Sequence, residues 1–582
     1  MGIKKIKNIF LGLLIFFAIF ITAPKNFASD EQNVYQPVRV AIGNQNFQIY
    51  DYQNITLFGT SDVQIYEKAN HNLISTIPAD TFIDITLKNG IFEISTTKNE
   101  VSLNEFSTIS EINQNKNVIT TNNGVIFECP SGLLGVKDLK RKGRQALYRT
   151  SLEIIKKPKT DKFYVVNVLD IQDYLKGVVP NEMPTSFGLE ALKAQSVAAR
   201  NYVLSPRTRL VKEYDVVDSV ASQVYFGANT EENTSNRAVD ETEGIVASYN
   251  WNLILAQYSS TAGGYTESFS NAFSDPLNKR FPSNEKPYLV AKPDMLSQQP
   301  LRTEEEVRNF YTTRPDTYDI RSPYYRWQKI WTKEELNEVL SKTLVSQSKT
   351  GFVSPKLEKS EDFGELLDIR PKRRGDSGKL LDVEIVTTSG TYTAQKELVI
   401  RRIFQKNNIS LPSANVVFEF VVDEKNNIVE IIANGGGFGH GVGMSQYGAG
   451  FMGKELKLPY DKILKHYYTG INLGTMPVIL SAHPSQKEIS QKFYLDYKRA
   501  NLIVDNKFNL SKINVIINGK EETIYLTQSI MPFKAPVTIN ISHLVKKGEN
   551  TVTFCYPLDE GSAKGVRLFI EAINPNANEY NF

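Results

Sequence analysis

The sequence predicts an α+β protein. A mixed helix–strand core over residues 134–476 lies between a small β-rich region over 30–133 and an all-β sandwich over 477–582. Three observations carry this. Residues 38–127 are short β-type runs (VRVAI, ITLFG, VQIYE, FIDITL, VIFE) punctuated by Asn-Gly turns. Residues 170–204 switch to apolar residues at helical spacing. Beyond 477 the chain returns to strands (INVIING, TIYLT, VTINIS, NTVTFCYP) joined by Asn-Gly and Lys-Lys-Gly-Glu-Asn turns, the pattern of a sandwich.

The elements follow in order. Lys4, Lys5 and Lys7 precede an apolar run over 9–23, with Ala28 as a cleavage position. That run is shorter than the roughly 20 residues of a spanning helix, so residues 1–29 read as a secretory signal peptide or an uncleaved N-terminal anchor. The protein is then exported, extracellular or wall-associated, and touches a membrane only through that segment. Within 170–204, Asp170 is the expected N-cap of a first helix carrying Ile171, Tyr174, Leu175 and Val178. Pro180 and Pro184 are expected to stop it, and Ser186 to cap a second helix rich in Ala. Thr332 with Glu335 forms a capping box, Asn426-Asn427 turns a hairpin, and Pro459 opens a helix.

Composition excludes several classes. The formal net charge of +3 over 582 residues gives no electrostatic basis for nucleic-acid binding. The basic runs at 140–142 and 370–374 read as solvated loops. The two cysteines, Cys129 and Cys555, are far apart and make no disulfide framework, and the five histidines show no metal-ligand spacing. No metal and no cofactor are expected. The glycine run 435–443 lacks the lysine of a P-loop and the GxGxxG spacing, so its glycines serve close backbone approach while presenting His440 at a bend.

Glu182 stands on the Pro-bracketed corner between the two helices, where a reacting group is easily held. Two readings compete. In one it is a carboxylate favoured near a helix N-terminus, whose dipole lowers its pKa; in the other it is a catalytic acid, which requires burial to raise it. The hydroxyl and glycine cluster Ser259 to Gly264 is either a tight turn or a wall of hydroxyls and exposed amides.

Three separated blocks resemble the sporulation protein D family, which includes the amidase-enhancer proteins of bacterial cell walls. They are DYLKGVVPNEMP with LEALKAQSVAAR, then YSSTAGGYTES, then GGGFGHGVGMSQYGAGFMG with ILKHYYTGI. The segments KGRQALYRTSLEI, PYLVAKPD and RGDSGKLLDVEI are similar to the family pattern too, and the likeness covers residues 134–473. The resemblance implies a lytic transglycosylase that cleaves peptidoglycan glycan strands lacking stem peptides. The glutamate of the EMP motif, here Glu182, would be acid and then base. It implies substrate-binding roles for Ser260, Thr261, Gly263, Gly264, His440, Ser445 and Gln446, with His440 giving donors to sugar hydroxyls or, alternatively, being a satisfied structural imidazole. Arg200, and on weaker grounds Gln195, would meet the glutamate or the muramic lactyl carboxylate, a structural ion pair being the alternative for Arg200. Asp173 and Glu190 read as helix-surface residues. Some members bind zinc through a His and a Cys where this chain has Ser259 and Ala262, so that site does not carry over. The alternative function is a non-enzymatic enhancer of a cell-wall amidase. The C-terminal strands resemble the jelly-roll modules attached to many glycosidases.

Overall fold

The computed structural model describes residues 37–98, 118–205, 213–250, 252–295, 301–475, 478–479, 488–495, 498–505, 511–525, 537–555 and 567–572. All fall within the unit Tyr35–Phe582. The signal or anchor segment expected at 1–29 lies outside the described residues.

Mixed α and β structure is observed, in several sheets. The strand Phe163–Leu169 is almost wholly buried and pairs antiparallel with Val38–Ala41 on one side and Ser151–Lys156 on the other. Ser151–Lys156 continues the sheet to Val125–Glu128 and then to Val63–Glu67. In a second sheet Leu134–Arg141 pairs with Asn54–Gly59, which pairs with Thr81–Lys88. Strands from both sides of residue 133 therefore share both sheets, and the expected boundary there runs through them. The reason is patterning. Thr81–Lys88 alternates so that Ile83, Ile85 and Leu87 all face inward, and that apolar face is covered only with the strands after 133 in place.

Phe163–Leu169 feeds the helix Ile171–Glu182, whose N-cap is Asp170 as expected, its carboxylate accepting from the Gln172 N–H at 2.7 Å. Pro180 does not stop this helix; it sits in the last turn. A proline there removes a single bond, the one to the Lys176 carbonyl, and the neighbouring Gly177 carbonyl accepts from the Asn181 side-chain amide at 2.7 Å and the Phe226 N–H at 3.2 Å. Ser186 does not cap the next helix either. Thr185–Phe187 form a 3-10 turn, and Gly188, at φ +96°, precedes Leu189–Leu204. Along that helix Ala191, Ala194, Ala198 and Ala199 are buried, and the helices Asn233–Asp240, Gln446–Lys454 and Tyr460–Tyr467 pack around it.

A second core gathers Leu336, Leu340 and Leu344 of the helix Lys333–Ser348 against the strands Leu380–Thr387, Gly390–Gln395 and Val416–Val422. The Thr332–Glu335 capping box is present. Residues 370–374 are not a solvated loop. They belong to the strand Leu366–Arg374, where Arg373 pairs with Asp382 at 2.8 Å and Lys372 with Glu384 at 2.6 Å.

Near the C-terminus, Ala500–Asp505 pairs with Arg567–Ala572, which pairs with Asn472–Thr475 and, through it, with Ile245–Tyr249. The opposing sheet holds Glu488–Leu495, Gly548–Cys555, Lys512–Ile517 and Lys520–Tyr525, with Phe493, Leu502, Val515 and Phe554 between the two. The sandwich thus extends a sheet that begins in the central region.

Candidate active site

Glu182 is the last residue of its helix, at the carbonyl end. The helix dipole there disfavours a negative charge, the opposite of the N-terminal placement considered from the sequence. Three donors converge on the carboxyl. The Val224 N–H donates to Oε1 at 2.6 Å, and the Tyr258 hydroxyl and the Gln446 side-chain amide also hydrogen-bond it. Burial pushes the Glu182 carboxyl above its usual range, and these three bonds pull it back without cancelling the effect. Met183, fully buried, supplies apolar surroundings.

The donors are themselves oriented. Tyr174 Oη donates to Gln223 Oε1 at 2.9 Å, and Gln223 Nε2 donates to Tyr258 Oη at 2.8 Å. With its oxygen accepting from Gln223, the Tyr258 hydroxyl proton is free to point at Glu182. Gln446 Nε2 likewise donates to Gln195 Oε1, at 3.3 Å. Gln223 and Gln195 are fully buried, so the two chains fix which end of each group faces the carboxyl.

Glu182 lines a cavity of about 810 Å³, together with Tyr258, Ser260, His440 and Gln446. Aromatic faces build its walls. Phe187 meets Tyr447 edge-on at 4.9 Å, and Phe438, 39% exposed, completes the aromatic lining and stacks at 4.3 Å on Tyr324, which lies outside it. The wall opposite the helix corner forms where residues 257–264 run against 436–447. Thr261 and Phe438 exchange backbone hydrogen bonds, the Met444 N–H donates to the Gln257 carbonyl, and the Tyr447 N–H to the Ser260 carbonyl. Glycine is required here: a Cβ on Gly443, at φ +72°, would lie 2.0 Å from the Gln257 oxygen, and one on Gly263 would meet the Gly436 backbone at 2.7 Å. The glycine run therefore serves backbone-to-backbone approach.

Of the residues expected from the sequence, Glu182, Ser260, His440 and Gln446 come together at the cavity, and the others do not line it. Thr261 is buried and shares a hydrogen bond with Ser322 at 2.6 Å. The Gly263 and Gly264 amides are not exposed; both donate to the buried Asp319 carboxylate. Ser445 is buried and caps the helix Gln446–Lys454 through the Gly448 N–H. Gln195 acts through Gln446. Arg200 is fully buried and turned away, donating to the Ile245 carbonyl at 2.8 Å and to Gln172 Oε1 at 3.0 Å, because the strand Ile245–Tyr249 offers carbonyls to that face of its helix.

His440 lines the cavity as the satisfied imidazole, the second of its two readings. Its Nδ1 accepts the Val442 N–H at 3.0 Å, and the ring also bonds the Tyr258 main chain. Burial, with Lys379 and Arg401 nearby, holds it down to about 3. It is a neutral ring with both nitrogens engaged by backbone, packed on Phe273 at 5.2 Å, and has no donor left for a sugar hydroxyl.

Asp173 and Glu190 stand outside the cavity. Asp173 lies 3.9 Å from Arg149, and Glu190 accepts the Tyr460 N–H while pairing with Lys193. Glu232 does line it, accepting from the Thr185 hydroxyl at 2.7 Å. Among the described residues no group of three or more His, Cys, Asp or Glu is placed to hold a metal ion.

In the basic run at 140–142, Lys140 and Lys142 are exposed as expected, Lys142 in the hairpin turn, and Arg141 alone departs from a solvated loop. Arg141 is 2% exposed and pairs with the buried Asp218 at 2.8 Å, and Lys142 lines the cavity. Tyr258, Gln223, Val224, Glu232 and Lys142 were all missed from the sequence. Only Tyr258, beside the SSTAGG run, carried any signal there.

Residues 159–249 match the family described as Stage II sporulation protein, and 275–443 match a domain of unknown function. The chain is 33% identical over 300 residues to the amidase enhancer of Bacillus subtilis (strain 168), covering 51% of this chain and 40% of that protein. It is 29% identical over 338 residues to the stage II sporulation protein D of the same organism, covering 55% of this chain and 79% of that one. An uncharacterised protein of Brachyspira hyodysenteriae is 28% identical over 354 residues, or 60% and 76% of the two chains. The chain belongs to the stage II sporulation protein D family. It spans about two fifths of the amidase enhancer's length. The matched segment 159–249 contains the helix corner that carries Glu182, so the family assignment and the centre of the cavity fall on the same stretch.

Proposed function

We propose that the protein is an exported lytic transglycosylase acting on peptidoglycan glycan strands, with Glu182 as the acid and then the base. The observation that supports it best is the Glu182 carboxyl in the cavity lining, pushed up by burial and met by three oriented donors. Protonated, Glu182 gives its proton to the glycosidic oxygen as the C1–O bond breaks. The carboxylate formed is stabilised by the Val224 amide, the Tyr258 hydroxyl and the Gln446 amide, donors that cost no reorganisation at that moment. It then takes the proton of the muramic 6-hydroxyl, whose oxygen closes on C1 to give a 1,6-anhydro end. Water is not consumed and no second carboxylate is required, unlike ordinary glycoside hydrolysis. The exposed aromatic face of Phe438 in the cavity lining suits the apolar face of a sugar ring. Strands without stem peptides are the proposed substrate, and the C-terminal sandwich, of jelly-roll type, is an accessory module.

The name of the Bacillus subtilis relative favours a second reading, a wall-binding enhancer of an amidase partner. Mass spectrometry of products from purified glycan strands separates the possibilities. Anhydro ends, lost in Glu182→Gln while the fold persists, support transglycosylation. Reducing ends would instead implicate Glu232 as a second carboxylate in a hydrolase. Release undiminished in Glu182→Gln refutes the assignment of the acid. Binding without product, with amide cleavage rising on addition of an amidase, supports the enhancer.

A further inference from the structure

Lys142 sits at the tip of the hairpin formed by Leu134–Arg141 and Arg144–Tyr148, in a left-handed turn conformation. That tip is pinned from the residue before it, since the Arg141 guanidinium bonds the Gly43 carbonyl and the Asp218 carboxylate, both at 2.8 Å, in a buried setting. The ammonium of Lys142 reaches the carbonyl of Pro180 at 3.1 Å, two residues before Glu182 in the same helix end. One of its three donors is thereby used. Among the described residues Lys142 makes no ion pair. Glu232 is the acidic group that acts on it from the cavity and Arg144 the basic one from its own hairpin. It is an exposed cation in the cavity lining, tethered by one bond beside a proposed sugar-cleaving acid, with donors to spare.

We infer that Lys142 binds the free lactyl carboxylate of muramic acid and thereby selects glycan strands that lack stem peptides. The inference rests on the proposed glycan reaction and adds to it the residue that determines specificity. The chemistry commits to this carboxylate for two reasons. The lactyl group belongs to the sugar whose C1–O bond is broken, so it lies near the acid, as the Lys142 ammonium does. In a peptide-bearing strand the same carboxyl is an amide, neutral and bulky, and a cation there gains nothing from it. A carboxylate further along a stem peptide would make the opposite prediction.

The test compares the full-length protein, Lys142→Met and Lys142→Arg on purified strands with and without stem peptides, reading kcat/KM for anhydro ends. A charge-assisted bond of this kind predicts that Lys142→Met loses about 10- to 100-fold on peptide-free strands. It should leave peptide-bearing strands unaffected, and Lys142→Arg should recover most of the loss. An equal loss on both substrates would assign Lys142 to holding the helix end through Pro180, and no loss would leave it without a role; either overturns the inference. Equilibrium binding of peptide-free strands to Glu182→Gln, with and without Lys142→Met, reads the same contact without turnover. If the wild type releases no product, the proposed reaction fails. The Lys142 inference then stands or falls on whether Lys142→Met weakens this binding about tenfold or leaves it unchanged.

Discussion

Replacing Tyr258 with Phe removes one hydroxyl and leaves the ring in its wall. That hydroxyl is the link between Gln223 and the Glu182 carboxyl. A hydrogen bond to a charged group contributes about 1.5–3 kcal/mol. Losing the donor therefore raises the Glu182 pKa further, since the bond favours the carboxylate. Glu182 must be protonated at the start, so activity is present below its pKa and lost as pH rises through it. The alkaline limb of kcat/KM in Tyr258→Phe then moves to higher pH. The carboxylate that forms as the proton is given away is also less stabilised, so the plateau rate falls by about 10- to 100-fold. The assay is the pH profile of anhydro-end release from peptide-free strands, with Glu182→Gln as the blank. A fall in rate with the limb unmoved would mean that the hydroxyl only holds Gln223. A limb displaced to lower pH would contradict the direction of the bond.

Two further predictions concern the scaffold of the site. Arg141→Met leaves the Asp218 carboxyl buried without its partner, and should cost about 3–5 kcal/mol by urea denaturation. That loss should be smaller at acid pH, because the folded state then binds a proton on Asp218 that the unfolded state does not. An Arg141→Met variant of unchanged stability would show that the hairpin tip is not pinned there. Gly443→Ala forces a side chain into a left-handed position against the Gln257 carbonyl. It should lower the urea midpoint by an amount worth about 1–3 kcal/mol, and reduce activity by displacing Gln446. Stability within about 0.5 kcal/mol of wild type would mean that the two wall segments separate freely.

Much of the local structure was legible in the chain. Asp170, Thr332 with Glu335, and the Asn426 turn mark their elements because a cap or a left-handed turn is specified by one or two adjacent side chains. The long glycine run was readable as a place of close backbone approach, though the hydroxyl–glycine run, read as a tight turn or a wall of hydroxyls and amides, was not readable as the backbone it approaches. Arg141 was misread because a cation's surroundings depend on which carboxylate the fold delivers, here one 77 residues away. Between the two readings of His440, the structure favours the satisfied imidazole for a related reason: its ring bonds main-chain groups that only the packed wall brings near.

The sequence by itself determined that Glu182 lies on a corner between two packed helices, in the order of blocks shared with the stage II sporulation protein D family. Local rules suffice for that, because spacing, caps and prolines act over a turn or two. Only the tertiary structure decided the state of the carboxyl. The carbonyl end of its helix, the burial, and donors from residues 224, 258 and 446 come from segments far apart in the chain. Their joint electrostatic effect exists only once those segments are folded around Glu182.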